Sequence, residues 1–170
     1  MNGWQTVWKA DDFALEMQRN AQGRHRVVAA EGKPGAVVIA QFEDRVLLVR
    51  QERPAVGQTL WEFPRGFGDP EDTNLLTTGV RELVEETGAQ AQIANSKLLG
   101  EIWIDSGLQA NAVGIVLVNL ESSDLKGETD GEVDDSKWVP IHELSKMINE
   151  GAVCDSLSIA ACAFLFSQSA

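Results

Sequence analysis

Three glutamates share one face of a helix predicted near the middle of the chain. Glu82, Glu85 and Glu86 stand at positions i, i+3 and i+4 of the predicted helix Leu75–Thr87. At this spacing the Cβ atoms of neighbouring side chains lie roughly 5–6 Å apart. Gathered carboxylate oxygens suit Mg²⁺ or Mn²⁺, which bind through carboxylates, waters and substrate phosphates. A solvated helix face would also explain these three residues, so the flanking sequence has to distinguish the two interpretations.

The sequence before this helix favours a phosphate site. A short strand, Leu60–Phe63, enters a glycine-rich loop at Gly66, and this loop leads into the helix. A loop-to-helix junction offers free backbone N–H groups and the positive end of the helix dipole to phosphate oxygens. Near it in sequence are Arg50, Arg53 and Arg65, and guanidinium groups bind pyrophosphate in a more specific geometry than ammonium groups do. The sequence therefore predicts a site for a metal ion and a phosphorylated ligand.

The elements that would position these residues alternate between strands and helices. Residues 4–30 have the pattern of short strands and end at the break 31–35, which predicts a small N-terminal β-rich subdomain over 1–34 and a main domain over 35–170. In the main domain the patterns predict four longer strands and two further helices, namely Ala36–Phe42, Arg45–Glu52, Ala91–Ile104, Ala112–Leu120, His142–Glu150 and Asp155–Phe166. This order indicates a mixed sheet with helices on its faces, an α/β fold.

Composition limits the partners of the chain. Its 170 residues include 26 acidic against 14 basic ones, a net charge of −12, which disfavours binding to nucleic acid or to an anionic membrane. There is no apolar run of the ~18 residues that a membrane span requires. The two cysteines, Cys154 and Cys162, form no CxxC motif, which is typical of a cytoplasmic protein. Seven of the acidic residues, with one lysine, lie within residues 121–135.

The glutamate helix and its approach resemble the Nudix box, G-x5-E-x7-R-E-U-x-E-E-x-G-U. The chain matches it at Gly66 and in the run Arg81-Glu82-Leu83-Val84-Glu85-Glu86-Thr87-Gly88. It departs from the box at Asp72, which stands in the place of the first glutamate, with one residue too many before Arg81. Arg50-Gln51-Glu52-Arg53 and Trp61-Glu62-Phe63-Pro64 are similar to the RQYR and WELPAG segments of ADP-ribose pyrophosphatases. The resemblance implies a Nudix-type α/β/α sandwich around a central mixed sheet.

The resemblance also implies an activity and a set of roles. The reaction would be Mg²⁺-dependent hydrolysis of a nucleoside diphosphate linked to another group, with ADP-ribose or a related nucleotide sugar giving AMP and a sugar phosphate. Glu82, Glu85 and Glu86 would hold Mg²⁺ or Mn²⁺, Glu85 being catalytic as well, and Arg81 would orient the glutamates. The residues expected to contact the substrate are Arg50, Arg53, Arg65, Glu62 and Gly66.

Several expectations from the resemblance leave alternatives open. The general base would come from the acidic segment 121–135, where we favour Glu132 over Glu128 and Asp130, although a solvated loop without a catalytic role explains the same residues. The family implies a homodimer in which the N-terminal strands contact the partner. A non-catalytic Nudix module that senses a nucleotide is the alternative from another class. Within the enzymes, NADH, nucleoside triphosphates and CoA derivatives remain alternative substrates.

Overall fold

The computed structural model describes residues 3–11 and 14–168. Residues 1, 2, 12 and 13 of the predicted N-terminal subdomain, and 169 and 170 of the main domain, lie outside the described residues. Within the described ranges the chain forms ten strands and three α-helices. The strands are β1 Gln5–Lys9, β2 Glu16–Arg19, β3 His25–Val28, β4 Gly35–Phe42, β5 Arg45–Arg53, β6 Gln58–Glu62, β7 Arg65–Phe67, β8 Ser96–Trp103, β9 Ala112–Asn119 and β10 Asp135–Pro140. The helices are α1 Leu75–Thr87, α2 Leu144–Asn149 and α3 Ser156–Ser167.

Seven strands form a mixed central sheet, which confirms the predicted α/β class. Five of them follow the order β10-β5-β4-β9-β8, while β6 pairs with β5 and β7 pairs with β4. The pairing of β4 with β9 is parallel, with Gly35 opposite Val113, and the other pairings are antiparallel.

The central strand β4 has helices on both sides. Its side chains alternate between two apolar clusters: Val37 and Ile39 pack with residues of α2 and α3, whereas Ala36 and Val38 pack with Leu83 of α1. Because successive side chains of a strand point to opposite faces of the sheet, an uninterrupted apolar run fits a strand that is covered on both faces. The fold is therefore a three-layer α/β/α sandwich.

The helix α1 has the bounds that the sequence predicts, because both of its ends are marked by local chemistry. The Asn74 side chain accepts hydrogen bonds from the backbone N–H groups of Leu76 and Thr77, and the Thr77 hydroxyl accepts one from the Asn74 N–H. At the other end, Gly88 takes a left-handed conformation with φ 66°, which glycine adopts without the steric penalty of a Cβ atom.

The N-terminal strands β1, β2 and β3 form a separate three-stranded antiparallel sheet. It meets the main sheet where the Val27 N–H donates to the Leu108 carbonyl (2.8 Å) and the Ala110 N–H donates to the Val27 carbonyl (2.9 Å). The buried Asn111 side chain also bonds both backbone groups of Ala29. The segment after β3 is therefore fixed to the main domain.

Two elements differ from the sequence prediction. The three-residue strand β7 was not predicted, because a strand this short has too few residues to show alternation. The helix predicted over His142–Glu150 begins as a 3₁₀ turn, Ile141–Glu143, directly after Pro140. Among the described residues, no helix is long and apolar enough to cross a membrane.

Candidate active site

A cavity of about 420 Å³ opens where α1, β5, β7 and the acidic loop meet. The acidic loop is defined here as residues 121–134, between β9 and β10. Seven of the predicted site residues line the cavity, namely Arg53, Arg65, Gly66, Arg81, Glu82, Glu85 and Glu132. The tertiary fold thus brings the Nudix-like helix, the arginines and the acidic loop to one place.

Arg81 is the centre of an ion-pair cluster at one wall of the cavity. Its guanidinium lies 2.9 Å from a carboxylate oxygen of Glu82 and 2.7 Å from one of Glu85. It also pairs with Asp72 at 3.0 Å and donates to the Phe67 carbonyl at 2.8 Å. Asp72, which stands in place of the first glutamate of the box, therefore holds Arg81 in spite of the altered spacing.

Two glutamates of α1 are held where the ionised carboxylate is disfavoured. Burial raises the pKa of Glu82 to about 7, although Arg81 opposes the shift. Burial, reinforced by the negative charge of Glu82, raises the pKa of Glu86 to about 8. Among the described residues, Oε2 of Glu86 is buried without a hydrogen-bond partner. A buried carboxylate with an unpaired oxygen is costly unless a positive group approaches it.

These properties fit a divalent cation. Three carboxylates on one helix face supply hard oxygen donors, and the orphaned oxygen of Glu86 and the raised pKa of Glu82 show that the site lacks positive charge. In residues 3–11 and 14–168, however, no three His, Cys, Asp or Glu side chains are grouped as the ligands of one ion. Glu82 and Glu85 are turned toward Arg81 instead.

Gly66 makes room for Glu82. A Cβ atom built at this position would overlap the Glu82 carboxylate. Because the overlapping group belongs to a proposed metal ligand, a side chain at residue 66 would displace that ligand. The absence of a side chain at Gly66 therefore matters for the glutamate as well as for the cavity, which this glycine also lines.

Glu62 does not line the cavity but lies behind two arginines that do. Its side chain is fully buried, and Oε2 lies 2.6 Å from Arg53 and 2.9 Å from Arg65. Arg65 is also 3.5 Å from Asp155, the residue that caps α3. Glu62 therefore fixes two guanidinium groups at the cavity wall, and its carboxylate is not placed to touch a ligand.

Arg50 is the one predicted arginine that the fold does not bring to the cavity. It is exposed and lies on β5 with the parity opposite to that of Arg53. Because side chains of a strand alternate between its faces, residues 50 and 53 point to opposite sides of the sheet.

The acidic loop places two carboxylates at the cavity. Asp130 and Glu132 line it, whereas Glu128 does not. The loop is held by its backbone, since the Asp130 N–H donates to the Glu85 carbonyl and the Asp134 N–H to the Arg50 carbonyl, each at 2.9 Å. Glu132 remains the predicted base, and Asp130 shares its location.

Sequence reasoning missed one polar residue of the site. Gln51 lines the cavity, is 9% exposed, and among the described residues its Oε1 atom has no hydrogen-bond partner. The signal was available in the alternation along β5, which puts Gln51 on the same face as Arg53.

Comparisons with known proteins agree with this geometry. The sequence profile of the NUDIX domain matches residues 32–155. The chain is 30% identical over 130 residues to an ADP-ribose pyrophosphatase of Mycobacterium tuberculosis, an alignment that covers 74% of this chain and 62% of the relative. It is 33% identical over 79 residues to an ADP-sugar pyrophosphatase of Mus musculus, covering 46% of this chain and 35% of the relative. The chain thus spans less than two thirds of the length of these relatives.

The fold is also found among solved structures. The crystal structure of an ADP compounds hydrolase superposes with a TM-score of 0.76 at 17% identity, over 98% of this chain and 91% of that one. At this identity the likeness shows the α/β/α fold. The family follows from the sequence profile, which covers most of the chain: the protein belongs to the NUDIX domain family.

Proposed function

We propose that the protein is a pyrophosphohydrolase that cleaves a nucleoside diphosphate linked to another group. ADP-ribose or a related nucleotide sugar is the proposed substrate, giving AMP and a sugar phosphate. The observation that carries the proposal is the single cavity in which Arg53 and Arg65 face the carboxylates of Glu82 and Glu85. The names of the two similar proteins, an ADP-ribose and an ADP-sugar pyrophosphatase, support this substrate class.

The arginines and Gln51 form the proposed substrate contacts. Arg53 and Arg65 already share the Glu62 carboxylate, so their remaining N–H groups are oriented for the oxygens of a diphosphate. The unpaired Oε1 of Gln51 can accept a hydrogen bond from a hydroxyl or amino group of the ligand. Such a bond would remove the cost of a buried, unpaired amide oxygen.

Mg²⁺, or Mn²⁺, would be held by Glu82, Glu85 and Glu86. When bound, the cation neutralises charge on the diphosphate and activates water for attack. The chain contributes Arg81, which would keep the two glutamates it contacts at the cavity wall. The proposed base is Glu132, which would take a proton from the attacking water.

The proposed assembly is a homodimer that forms through the N-terminal sheet. Its support is the apolar surface of this sheet, where Val7, Trp8 and Met17 are all exposed. Both cysteines, Cys154 and Cys162, are free, which supports the proposed cytoplasmic location, since thiols remain reduced there.

A substrate panel tests the activity. Purified protein with Mg²⁺ is incubated with ADP-ribose, an ADP-hexose, NADH, a nucleoside triphosphate and a CoA derivative, and the products are separated by chromatography. We expect AMP to be released fastest from ADP-ribose or the ADP-hexose. Faster cleavage of any of the other three would contradict the substrate assignment. Binding of ADP-ribose without turnover, measured by calorimetry, would instead support a nucleotide sensor.

Replacing Glu85 by glutamine tests the catalytic site. The change removes one anionic oxygen donor at an exposed position, so turnover should fall by a factor of about 10² or more, with the melting temperature nearly unchanged. The control is Glu101→Gln, an exposed glutamate on the edge strand β8. Full activity of Glu85→Gln would rule out the proposed role of this residue.

A further inference from the structure

The acidic loop touches the end of α1 through two glycines. The Gly127 N–H donates to the Gly88 carbonyl at 2.9 Å. A Cβ atom built on Gly127 would lie 2.9 Å from both the Cα and the carbonyl oxygen of Gly88, and one built on Gly88 would lie 2.5 Å from the Gly127 carbonyl oxygen. Two backbones can approach this closely only where neither residue has a side chain.

This contact fixes the register of the loop along the helix. Next to it, Leu125 forms a single β-bridge with Ala89. Three residues after Gly127, the Asp130 N–H donates to the Glu85 carbonyl at 2.9 Å, and the Glu132 N–H donates to Asp130 Oδ1 at 2.9 Å. The positions of both carboxylates at the cavity therefore depend on how closely the loop approaches α1.

The contact adds little to the stability of the whole molecule. From Glu121 to Asp130 every residue of the loop is exposed except Leu125, which is partly buried. Burial of apolar surface is the dominant favourable contribution to folding, and this part of the loop buries little of it. Its close fit to α1 is therefore better explained by a requirement on position than by one on stability.

We propose that Gly127 is a positioning residue, whose lack of a side chain lets the acidic loop approach α1 and sets the carboxylates of Asp130 and Glu132 at the cavity. The inference rests on the proposed function in one respect, that a carboxylate of this loop acts in the hydrolysis. The backbone of Gly127 does not require glycine, because its φ is not positive. An alanine at 127 is therefore excluded only by contact with Gly88.

The test is Gly127→Ala in the full chain, with Gly107→Ala as the matched control. Gly107 is a loop glycine without positive φ, and an added Cβ would meet only the tip of the Asp105 side chain. For Gly127→Ala we expect kcat to fall by about 10²-fold, as a displacement of about 1 Å can cause. The KM should stay within about twofold, because Arg53 and Arg65 are untouched. The control should behave as wild type.

Amide hydrogen exchange supplies a reading that does not depend on activity. In the wild type, the amides of Gly127 and Asp130 should exchange more slowly than that of Thr129, since only those two donate to α1. In Gly127→Ala both should lose this protection, while the amides of α1 and the melting temperature should change little.

The outcomes separate this inference from the proposed function. Unprotected Gly127 and Asp130 amides in the wild type would overturn the inference even if Gly127→Ala fails to fold. Wild-type kcat and unchanged exchange in Gly127→Ala would overturn it as well, leaving the hydrolase activity intact. A chain that hydrolyses nothing in the panel would overturn the proposed function, and loss of protection in the variant would still support the positioning of the loop.

Discussion

At the scale of single residues, the site is a balance of buried carboxylates against guanidinium groups. Arg81 neutralises the carboxylates around it, and Glu62 serves two arginines at once. Glu86 is the exception, buried with an oxygen that no described group contacts. The charges on the arginine side of the cavity are thus paired within the fold, while one buried carboxylate on the glutamate side lacks a partner.

The two arginines of β5 make a matched pair. Arg53→Ala should raise KM for ADP-ribose by about tenfold or more, since a hydrogen bond to a charged group contributes roughly 1.5–3 kcal/mol. Arg50→Ala should leave KM within about twofold, because this residue lies on the opposite face of the strand. Steady-state kinetics measure both variants. Equal effects on KM would show that the cavity is not where the diphosphate binds.

Glu86 should make the metal-free protein less stable in alkaline solution. Its pKa in the folded chain is about 8 against the ordinary 4.5, so the folded state holds this proton more tightly than the unfolded state does. The contribution to stability is present in full below pH 4.5 and is lost as the pH rises through about 8.

The measurement is the melting temperature with a chelator present, from about pH 5 to about pH 9, the range in which this linkage acts. The wild type should lose more of its melting temperature over this range than Glu86→Gln, whose side chain does not titrate. Addition of Mg²⁺ at the alkaline end should stabilise the wild type more than the variant. Parallel curves for the two proteins would contradict the raised pKa.

At the scale of elements, strand alternation and loop anchoring decide which residues reach the cavity. Along β5 the cavity receives Gln51 and Arg53, but not their neighbours Arg50 and Glu52. In the acidic loop, the backbone bond from Asp130 to Glu85 brings residues 130 and 132 inward and leaves Glu128 outside.

The loop geometry predicts different effects for its glutamates. Glu132→Gln should lower kcat by about 10²-fold or more, the usual contribution of a general base, and should remove the limb of the pH–rate profile that reports the ionised base. Glu128→Gln removes the same charge from the same loop and should leave kcat within about twofold. Rate profiles over pH distinguish them. If Asp130→Asn alone abolishes turnover, the base is Asp130.

At the scale of the whole molecule, charge and exposed apolar surface are unevenly distributed. The net charge is −12, and seven acidic residues lie in the short segment 121–135, beside the cavity. All five residues of β1 are exposed, Val7 and Trp8 among them. A small sheet with an uncovered apolar surface is marginally stable in isolation, and exposed apolar patches commonly mark interfaces.

Trp8→Glu tests the proposed dimer. A charge in the centre of the interface should convert the dimer into monomers, seen as a halved mass in sedimentation at micromolar concentration. The control is Val56→Glu, another exposed apolar residue, which lies in the turn between β5 and β6. A monomeric wild type, or a Trp8→Glu variant that remains dimeric, would contradict the proposed interface.

The sequence by itself determined the features that depend on local order. The glutamate spacing, the Asn74 cap and the Gly88 stop fixed the bounds of α1, because helical period and capping are properties of neighbouring residues. The mixed sheet followed from long apolar strands, and membership of the NUDIX domain family from a motif within a few turns of chain.

Only the tertiary structure decided which side chains meet. Glu62 and Arg50 looked alike in sequence as ligand contacts, but the fold buries Glu62 behind two arginines and turns Arg50 to the other face of the sheet. The contact between Gly88 and Gly127 joins residues 39 positions apart and left no local pattern. Such contacts depend on how separate elements pack, and the local periods and caps that define each element carry no information about that packing.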